Sequence, residues 1–77
     1  MMPLSFAEVG EKNVIRKIGG QDDAKRHLNN LGFVEGSEVE IVTEAAGNMI
    51  VIVKETRIGI SKEVASRIVV DTLEDEE

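Results

Sequence analysis

Few residues of this chain are of the types that do chemistry, because it has one histidine and no cysteine. His27 follows Asp23 by four residues, and on a helix this spacing places the imidazole and the carboxylate on one surface. Such a pair can contact a divalent transition metal such as iron, although two ligands make a weak site. The same spacing is routine in helix-surface pairs, and Asp22 and Arg26 form a neighbouring pair of that kind. Asp23 and His27 are therefore weak candidates for metal ligands, and a divalent metal is the one cofactor that the sequence suggests.

A second group of oxygen ligands lies near the C-terminal end of the sequence, where five of the fifteen acidic residues are found: Asp71, Glu74, Asp75, Glu76 and Glu77. Carboxylate oxygens suit hard cations, but a run of like charges repels itself and lacks the fixed geometry that gives affinity. We therefore expect an acidic, flexible tail over residues 73–77. Residues 1–72 are expected to form a single folded domain.

The whole chain is acidic, with 15 Asp and Glu against 9 Lys and Arg and a formal net charge of -6 at pH 7. This charge repels phosphate backbones, and the chain has two Phe and no Trp or Tyr on which bases could stack. Nucleic acid is thus disfavoured as a partner. The glycines form no phosphate-binding loop and no nucleophile is paired with a base, so the sequence predicts that the protein is not an enzyme. No apolar run approaches the roughly 20 residues of a membrane helix, which favours a cytoplasmic protein without direct membrane insertion.

A helix over residues 21–31 would position Asp23 and His27. Three apolar residues in it recur at offsets of four and three, which places them on one helix face: Ala24, Leu28 and Leu31. Gly32 follows at the position where helices commonly need a left-handed backbone, and Phe33 is placed to contact Leu28 in a Schellman-type stop. The pattern predicts a helix that ends at Gly32.

After this helix the apolar residues alternate in the manner of strands. Gly47-Asn48 is a two-residue turn signal between β-branched runs, which predicts a hairpin. If these two residues are the whole loop, Thr43 pairs with Ile52 and Val42 pairs with Val53.

Residues 49–53 are apolar at every position, so both faces of this strand should be covered. The cover is either the domain's own helix, which would make the strand core, or a partner. Our hypothesis is that Met49, Val51 and Val53 border a partner-binding or self-association surface.

The complete pattern predicts a mainly β fold with five short strands. One helix lies between the first and second strands, and a short helical turn after Ser61 precedes the last strand. Closure into a small barrel removes the exposed edges that an open sheet would have. The predicted strands cover residues 13–18, a run that begins near residue 38, and residues 49–53, 56–60 and 68–70.

Two segments of the sequence resemble the FeoA family. They are Leu31-Gly32-Phe33 with Gly36 and Val39-Glu40-Ile41, and Ile58-Gly59-Ile60-Ser61-Lys62-Glu63-Val64-Ala65 with Ile68-Val69-Val70. The resemblance covers nearly the whole chain and implies an SH3-like barrel. It also implies an accessory protein of ferrous iron uptake that binds a ferrous iron permease whose cytosolic part carries a GTPase domain. Similar segments occur in the SH3-like domains of iron-dependent repressors, which leaves open a metal-responsive regulatory domain that binds a transition metal.

Overall fold

A computed structural model describes residues 1–73 of the chain, and its main element is one antiparallel sheet. The strands are β1 (Met2–Pro3), β2 (Lys12–Ile18), β3 (Glu38–Ala45), β4 (Asn48–Val53), β5 (Thr56–Ser61) and β6 (Ile68–Thr72). Their order across the sheet is β1-β6-β2-β3-β4-β5. A 3-10 helix (Leu4–Phe6), helix α1 (Asp22–Leu31) and helix α2 (Lys62–Ala65) connect them. The predicted mainly β architecture, with a helix before β3 and a helical turn before β6, is confirmed.

The structure has one strand more than the five predicted. The additional strand β1 has only two residues, Met2 and Pro3, which pair with Val70 and Val69 of β6. A two-residue strand has no alternation that a sequence could show, because its strand character comes only from the pairing.

Helix α1 ends as the sequence predicts. Gly32 has φ 110°, and its N–H donates to the carbonyl oxygen of Asn29. The N–H of Phe33 donates to the carbonyl oxygen of Leu28 at 3.0 Å, which is the second bond of a Schellman motif. Phe33 and Leu28 are both buried in the core cluster. The helix therefore stops at a fixed residue, and the chain turns from it directly towards β3.

The predicted register of the β3–β4 hairpin is wrong. Ala45 pairs with Asn48, so the loop consists of Ala46 and Gly47, with φ values of 51° and 81°. Two consecutive positive φ values are typical of the type I′ turn, whose twist matches that of the strands it joins. The register also shifts between Ile41 and Thr43, where a β-bulge adds one residue to β3.

The hairpin between β4 and β5 is tighter than the sequence suggests. Val53 pairs with Thr56, and the two loop residues Lys54 and Glu55 have φ values of 52° and 64°. No glycine or asparagine marks this turn, so the sequence pattern indicates only a looser connection. The two tight turns together fix which side chains of β3, β4 and β5 face inwards.

The core lies inside the bent sheet, where one cluster takes side chains from every strand except β1 and from both α-helices. It consists of Leu4, Ala7, Ile15, Ile18, Leu28, Phe33, Val39, Ile41, Met49, Val51, Val53, Ile60, Ala65, Ile68 and Val70. Helix α2 packs against the 3-10 helix and against β5. Asn13 on β2 is the polar exception, because it is fully buried and its side-chain nitrogen and oxygen have no hydrogen-bond partner in the described part of the chain.

None of the helices within residues 1–73 is both long enough and apolar enough to cross a membrane. Of the predicted acidic tail, Leu73 is described and its side chain is exposed. The remaining residues 74–77 lie outside the described residues, so the tail stays a prediction.

Candidate functional site

The two candidate metal ligands lie one turn apart on α1, and both side chains are exposed. Over residues 1–73, no group of three or more His, Cys, Asp and Glu side chains is arranged to hold a metal ion. Asp23 and His27 would therefore bind a metal with two protein ligands at most, and their role as ligands stays a prediction.

His27 instead borders a largely apolar concavity. A cleft of about 340 Å³ lies between α1 on one side and the junction of β5 with α2 on the other. Its lining consists of Ala24, His27, Leu28, Leu31, Gly59, Ile60, Ser61, Val64 and Arg67. We call this feature the α1–β5 cleft.

The walls of the α1–β5 cleft are held by local structure that the sequence encodes. The Schellman stop at Gly32 ends α1 beside the cleft, and the hydroxyl oxygen of Ser61 accepts a hydrogen bond from the N–H of Val64 at 3.1 Å. This N-cap bond starts α2 at Lys62 and so directs Val64 towards the cleft. Gly59 contributes backbone only, because it has no side chain.

The chemistry of the cleft is apolar with a positive rim. Leu31 retains 36% of its surface exposed, whereas Leu28 beside it is buried. The charged side chain in the lining is that of Arg67, joined by the imidazole of His27, and the lining contains no carboxylate. Arg67 Nη2 lies 3.8 Å from Glu63 Oε2, an exposed pair at helical spacing that adds little stability. The cleft can thus accept an apolar side chain that has an anionic group beside it.

A wider concavity of about 580 Å³ lies across the outer surface of β2, β3 and β4. Its charged residues include both signs: Lys12, Glu38, Glu40, Lys54 and Glu55. Because neither sign dominates, this surface has no preference for a charged partner.

The three residues proposed to border a partner surface are in the core. Met49, Val51 and Val53 each have 0% of their surface exposed. Val51 and Val53 pair with Ile41 and Val39 of β3, and Met49 pairs with Ile60 of β5. These residues all belong to the core cluster, so a partner cannot touch the three side chains in the folded domain. The residues of this strand that a partner can reach are on the other face: Asn48 and Ile50 are exposed, the latter by 36%, and Ile52 is half-buried. The expectation that Met49, Val51 and Val53 are accessible is therefore corrected.

The charged residues of β2 and β6 form a small cluster outside the sheet. The Arg16 Nε–H donates to Asp71 Oδ2 at 2.8 Å, and the N-terminal ammonium lies 3.1 Å from Asp71 Oδ1. The hydrogen bond from Arg16, followed by that from the terminal ammonium, lowers the pKa of Asp71 below its ordinary value. Both carboxylate oxygens are engaged, so the cluster joins strands and leaves no oxygen free for a ligand.

The α1–β5 cleft was not predicted from the sequence, although one signal for it was present. Ala24, Leu28 and Leu31 form one apolar face of α1, and only Leu28 is buried. The signal was this apolar helix face, of which the rest of the domain buries only one residue. The other wall, from Gly59 to Arg67, is brought opposite this face only by the tertiary fold.

Comparisons with known proteins support the resemblance noted above. A protein-family model described as "FeoA domain" matches residues 2–72. The chain is 31% identical over 74 residues to "Putative Fe(2+) transport protein A" of Methanocaldococcus jannaschii, and the match covers 96% of this chain and 90% of that protein.

Two solved structures are similar over most of both chains. The crystal structure of an iron uptake regulatory protein, FeoA, has a TM-score of 0.85 and 30% identity, with 94% of this chain and 96% of that chain covered. The FeoA of Stenotrophomonas maltophilia, described as an SH3 domain protein complexed with zinc, has a TM-score of 0.77 and 31% identity, with 92% and 91% covered. The predicted SH3-like fold is thereby confirmed. The expectation that closure removes the exposed edges is wrong, because in the described part of the chain β1 and β5 lie at opposite ends of the strand order and do not pair with each other.

Proposed function

The chain belongs to the FeoA family of ferrous iron transport proteins, and from this membership we propose that it is an accessory protein that binds the cytosolic part of a ferrous iron permease. The observation that carries the proposal is the family match over residues 2–72 together with a full-length relative named for Fe²⁺ transport. The proposed role is regulatory and not enzymatic, and it places the protein in the cytoplasm.

The surface of the domain supports a role in binding another protein. The α1–β5 cleft leaves Leu31 exposed at the edge of an apolar concavity, with Arg67 and His27 at its rim. Concave apolar sites with a few polar groups are where proteins commonly bind ligands and partner side chains. The whole chain carries a formal net charge of -6, which disfavours non-specific association with other acidic proteins.

The proposal is tested by direct binding to the cytosolic, GTPase-containing part of the permease from the same organism. Isothermal titration calorimetry would measure the affinity with GDP, with a non-hydrolysable GTP analogue and without nucleotide. We expect saturable one-to-one binding in at least one of these states. An unrelated acidic domain of the same size is the control, and equal heats from both proteins would overturn the proposal.

A second candidate function is a metal-responsive domain that binds a divalent transition metal directly. The zinc complex of the Stenotrophomonas maltophilia FeoA favours it, since that protein is 31% identical to this chain. Asp23 and His27 fit such a metal only as two exposed ligands, so we infer weak binding at most. Titration with Zn²⁺, followed through the His27 imidazole resonances and repeated with His27→Gln, tests it. No change in those resonances would rule out this site.

A further inference from the structure

Strand β5 forms one end of the sheet, and in the described part of the chain a single charged side chain, that of Arg57, is the one usual protecting feature on its edge. Within residues 1–73 it pairs with β4 and with no other strand. Its six residues, Thr56–Ser61, include no proline and pair with β4 without a bulge. Proline, bulges, inward charges and very short length are the devices by which proteins prevent a sheet edge from pairing with another chain.

The opposite edge of the sheet uses several such devices. Strand β1 has two residues, one of which is Pro3, and pairs with β6. The adjoining cluster of the N-terminal ammonium, Asp71 and Arg16 places charges beside it. The two edges therefore differ in the property that decides whether an extended peptide can add to the sheet.

The α1–β5 cleft runs along the β5 edge. Gly59 and Ile60 of β5 line it from one side, and Leu31 of α1 lines it from the other. A Cβ placed on Gly59 would meet no atom within 4 Å, so the space above this face of the strand is open. The edge itself is free, because β5 pairs with β4 only within residues 1–73. A peptide beside β5 could hydrogen-bond to this backbone and place every second side chain towards the cleft.

The charges indicate the chemistry of the occupant. The cleft lining contains Arg67 and His27 and no carboxylate. Arg67 pairs with Glu63 at 3.8 Å, but this pair is exposed and weak, so a carboxylate of a bound peptide can replace Glu63, which favours a peptide with an acidic residue. Strand β5 itself carries one cation, Arg57, and no acid. The β5 strand of a second copy would therefore bring no carboxylate to Arg67, and the charge argument favours a different protein over self-association.

We propose that the free edge of β5 binds an extended segment of a partner protein by β-strand addition, with an apolar side chain of that segment in the α1–β5 cleft and a carboxylate next to Arg67. The inference deepens the proposed function, on which it rests for the kind of partner. Main-chain pairing would supply affinity, and the cleft and Arg67 would supply preference for an acidic, apolar sequence.

A peptide experiment tests this inference without the permease. The probe is a blocked six-residue peptide of alternating leucine and glutamate, and its matched control has N-methyl groups at alternate residues, which remove the outward N–H donors. Titration is followed by two-dimensional ¹H–¹⁵N NMR of the whole chain. We expect shifts at residues 57–60 and around Leu31, slower amide exchange along β5, and roughly tenfold weaker binding of the methylated peptide, as the loss of two hydrogen bonds implies.

Paired variants separate the cleft from the general surface. Leu31→Ser should weaken peptide binding several-fold, whereas Ile50→Ser, at the same 36% exposure but outside the cleft, should leave it unchanged. Arg67→Gln should weaken binding, and Lys25→Gln, an exposed cation that does not line the cleft, should not.

Three results would overturn the inference. They are equal affinity of the methylated and unmethylated peptides, shifts confined to β1 and β6, and equal effects of the two serine variants. Sedimentation of the free protein as a dimer that the peptide does not dissociate would assign the edge to a second copy and would likewise overturn it. If the peptide binds as expected while the permease fragment does not, the edge site stands and the proposed function fails.

Discussion

On strand β4 the side chains of Met49, Val51 and Val53 have no exposed surface, whereas Ile50, which lies between two of them, is 36% exposed. Over residues 49–53 both faces carry only apolar side chains. They differ in what lies opposite: Met49 and Val51 pair with Ile60 and Ile58, which face inwards with them, while Ile50 pairs with Gly59, which has no side chain to cover it. Apolar character therefore did not decide burial on this strand, and the direction in which the sheet bends did.

The largest effect is expected when a carboxylate is placed on one face of β4 and, in a separate variant, on the other. Val51→Asp should unfold the domain or lower its free energy of unfolding by several kcal/mol, because the charge enters a closed apolar core without a partner. Ile50→Asp should cost about 1 kcal/mol or less, since its carboxylate reaches water. Urea titration followed by circular dichroism measures both values.

This pair of variants also tests where a partner can bind. If Val51→Asp remained folded with unchanged stability, the inner face would be accessible and the distinction between the faces would be wrong. Similar losses at both positions would show that Ile50 is covered as well.

The converse test replaces a buried polar residue of β2 by an apolar one. Asn13 is fully buried, and its side-chain amide has no hydrogen-bond partner among the described residues. Asn13→Leu should raise the free energy of unfolding by about 1 to 2 kcal/mol, because it removes an uncompensated polar group and adds apolar contact. The same denaturation measurement applies, and Lys12→Leu on the exposed neighbour is the control. Destabilisation by Asn13→Leu would mean that the amide is satisfied in solution.

Which residues of β4 and β5 face the core depends on how the two strands pair. The tight turn between these strands fixes that pairing. Glu55 in this turn has φ 64°, which an L residue other than glycine adopts at a cost. Glu55→Gly should raise the free energy of unfolding by about 0.5 to 1 kcal/mol, after the greater entropy of glycine in the unfolded chain is subtracted. Gly47→Ala, at φ 81° in the other tight turn, should change stability in the opposite direction. If both substitutions raised the free energy of unfolding, or both lowered it, this account would be contradicted.

The smallest effect is expected on the outer surface, at Asp71. Its pKa is lowered in the folded state by the hydrogen bonds from Arg16 and the terminal ammonium, so its contribution to stability is present above the pKa of the unfolded chain. That contribution is lost as the pH falls through the lower pKa of the folded state. The stability difference between the natural chain and Asp71→Asn should therefore shrink below about pH 4, and also in high salt. Thermal unfolding at pH 7 and at pH 3 measures it, and a difference that grows at pH 3 would contradict the assigned direction.

Much of the fold could be predicted from local signals. The stop of α1 at Gly32, with Phe33 closing on Leu28, follows from residue types whose backbone preferences act over a few positions. The start of α2 at Ser61 is local in the same way. The hairpin registers could not be predicted as reliably, because Ala46, Lys54 and Glu55 take left-handed conformations that their side chains do not favour. Strand pairing imposes these conformations, and no residue type marks them.

The candidate site was predictable only in part. One wall of the α1–β5 cleft was visible as an apolar helix face, but the other wall comes from residues 59–67, which are distant in the sequence. The three β4 residues chosen as a partner surface were apolar, as such a surface requires, and their burial depended on which face of the sheet bends over the core. A one-residue change of register exchanges the two faces of a strand, so periodicity alone could not choose between them.

By itself the sequence determined the mainly β class, the position and end of α1, the helical turn before the last strand and the family to which the chain belongs. These depend on capping residues, glycine positions and alternation, which act locally and are written directly in the chain. The tertiary structure alone decided which apolar face of β4 is core, which sheet edge is open and that a cleft with a positive rim lies along it. Those features arise where segments far apart in the sequence meet, and their energies depend on contacts that no local pattern contains.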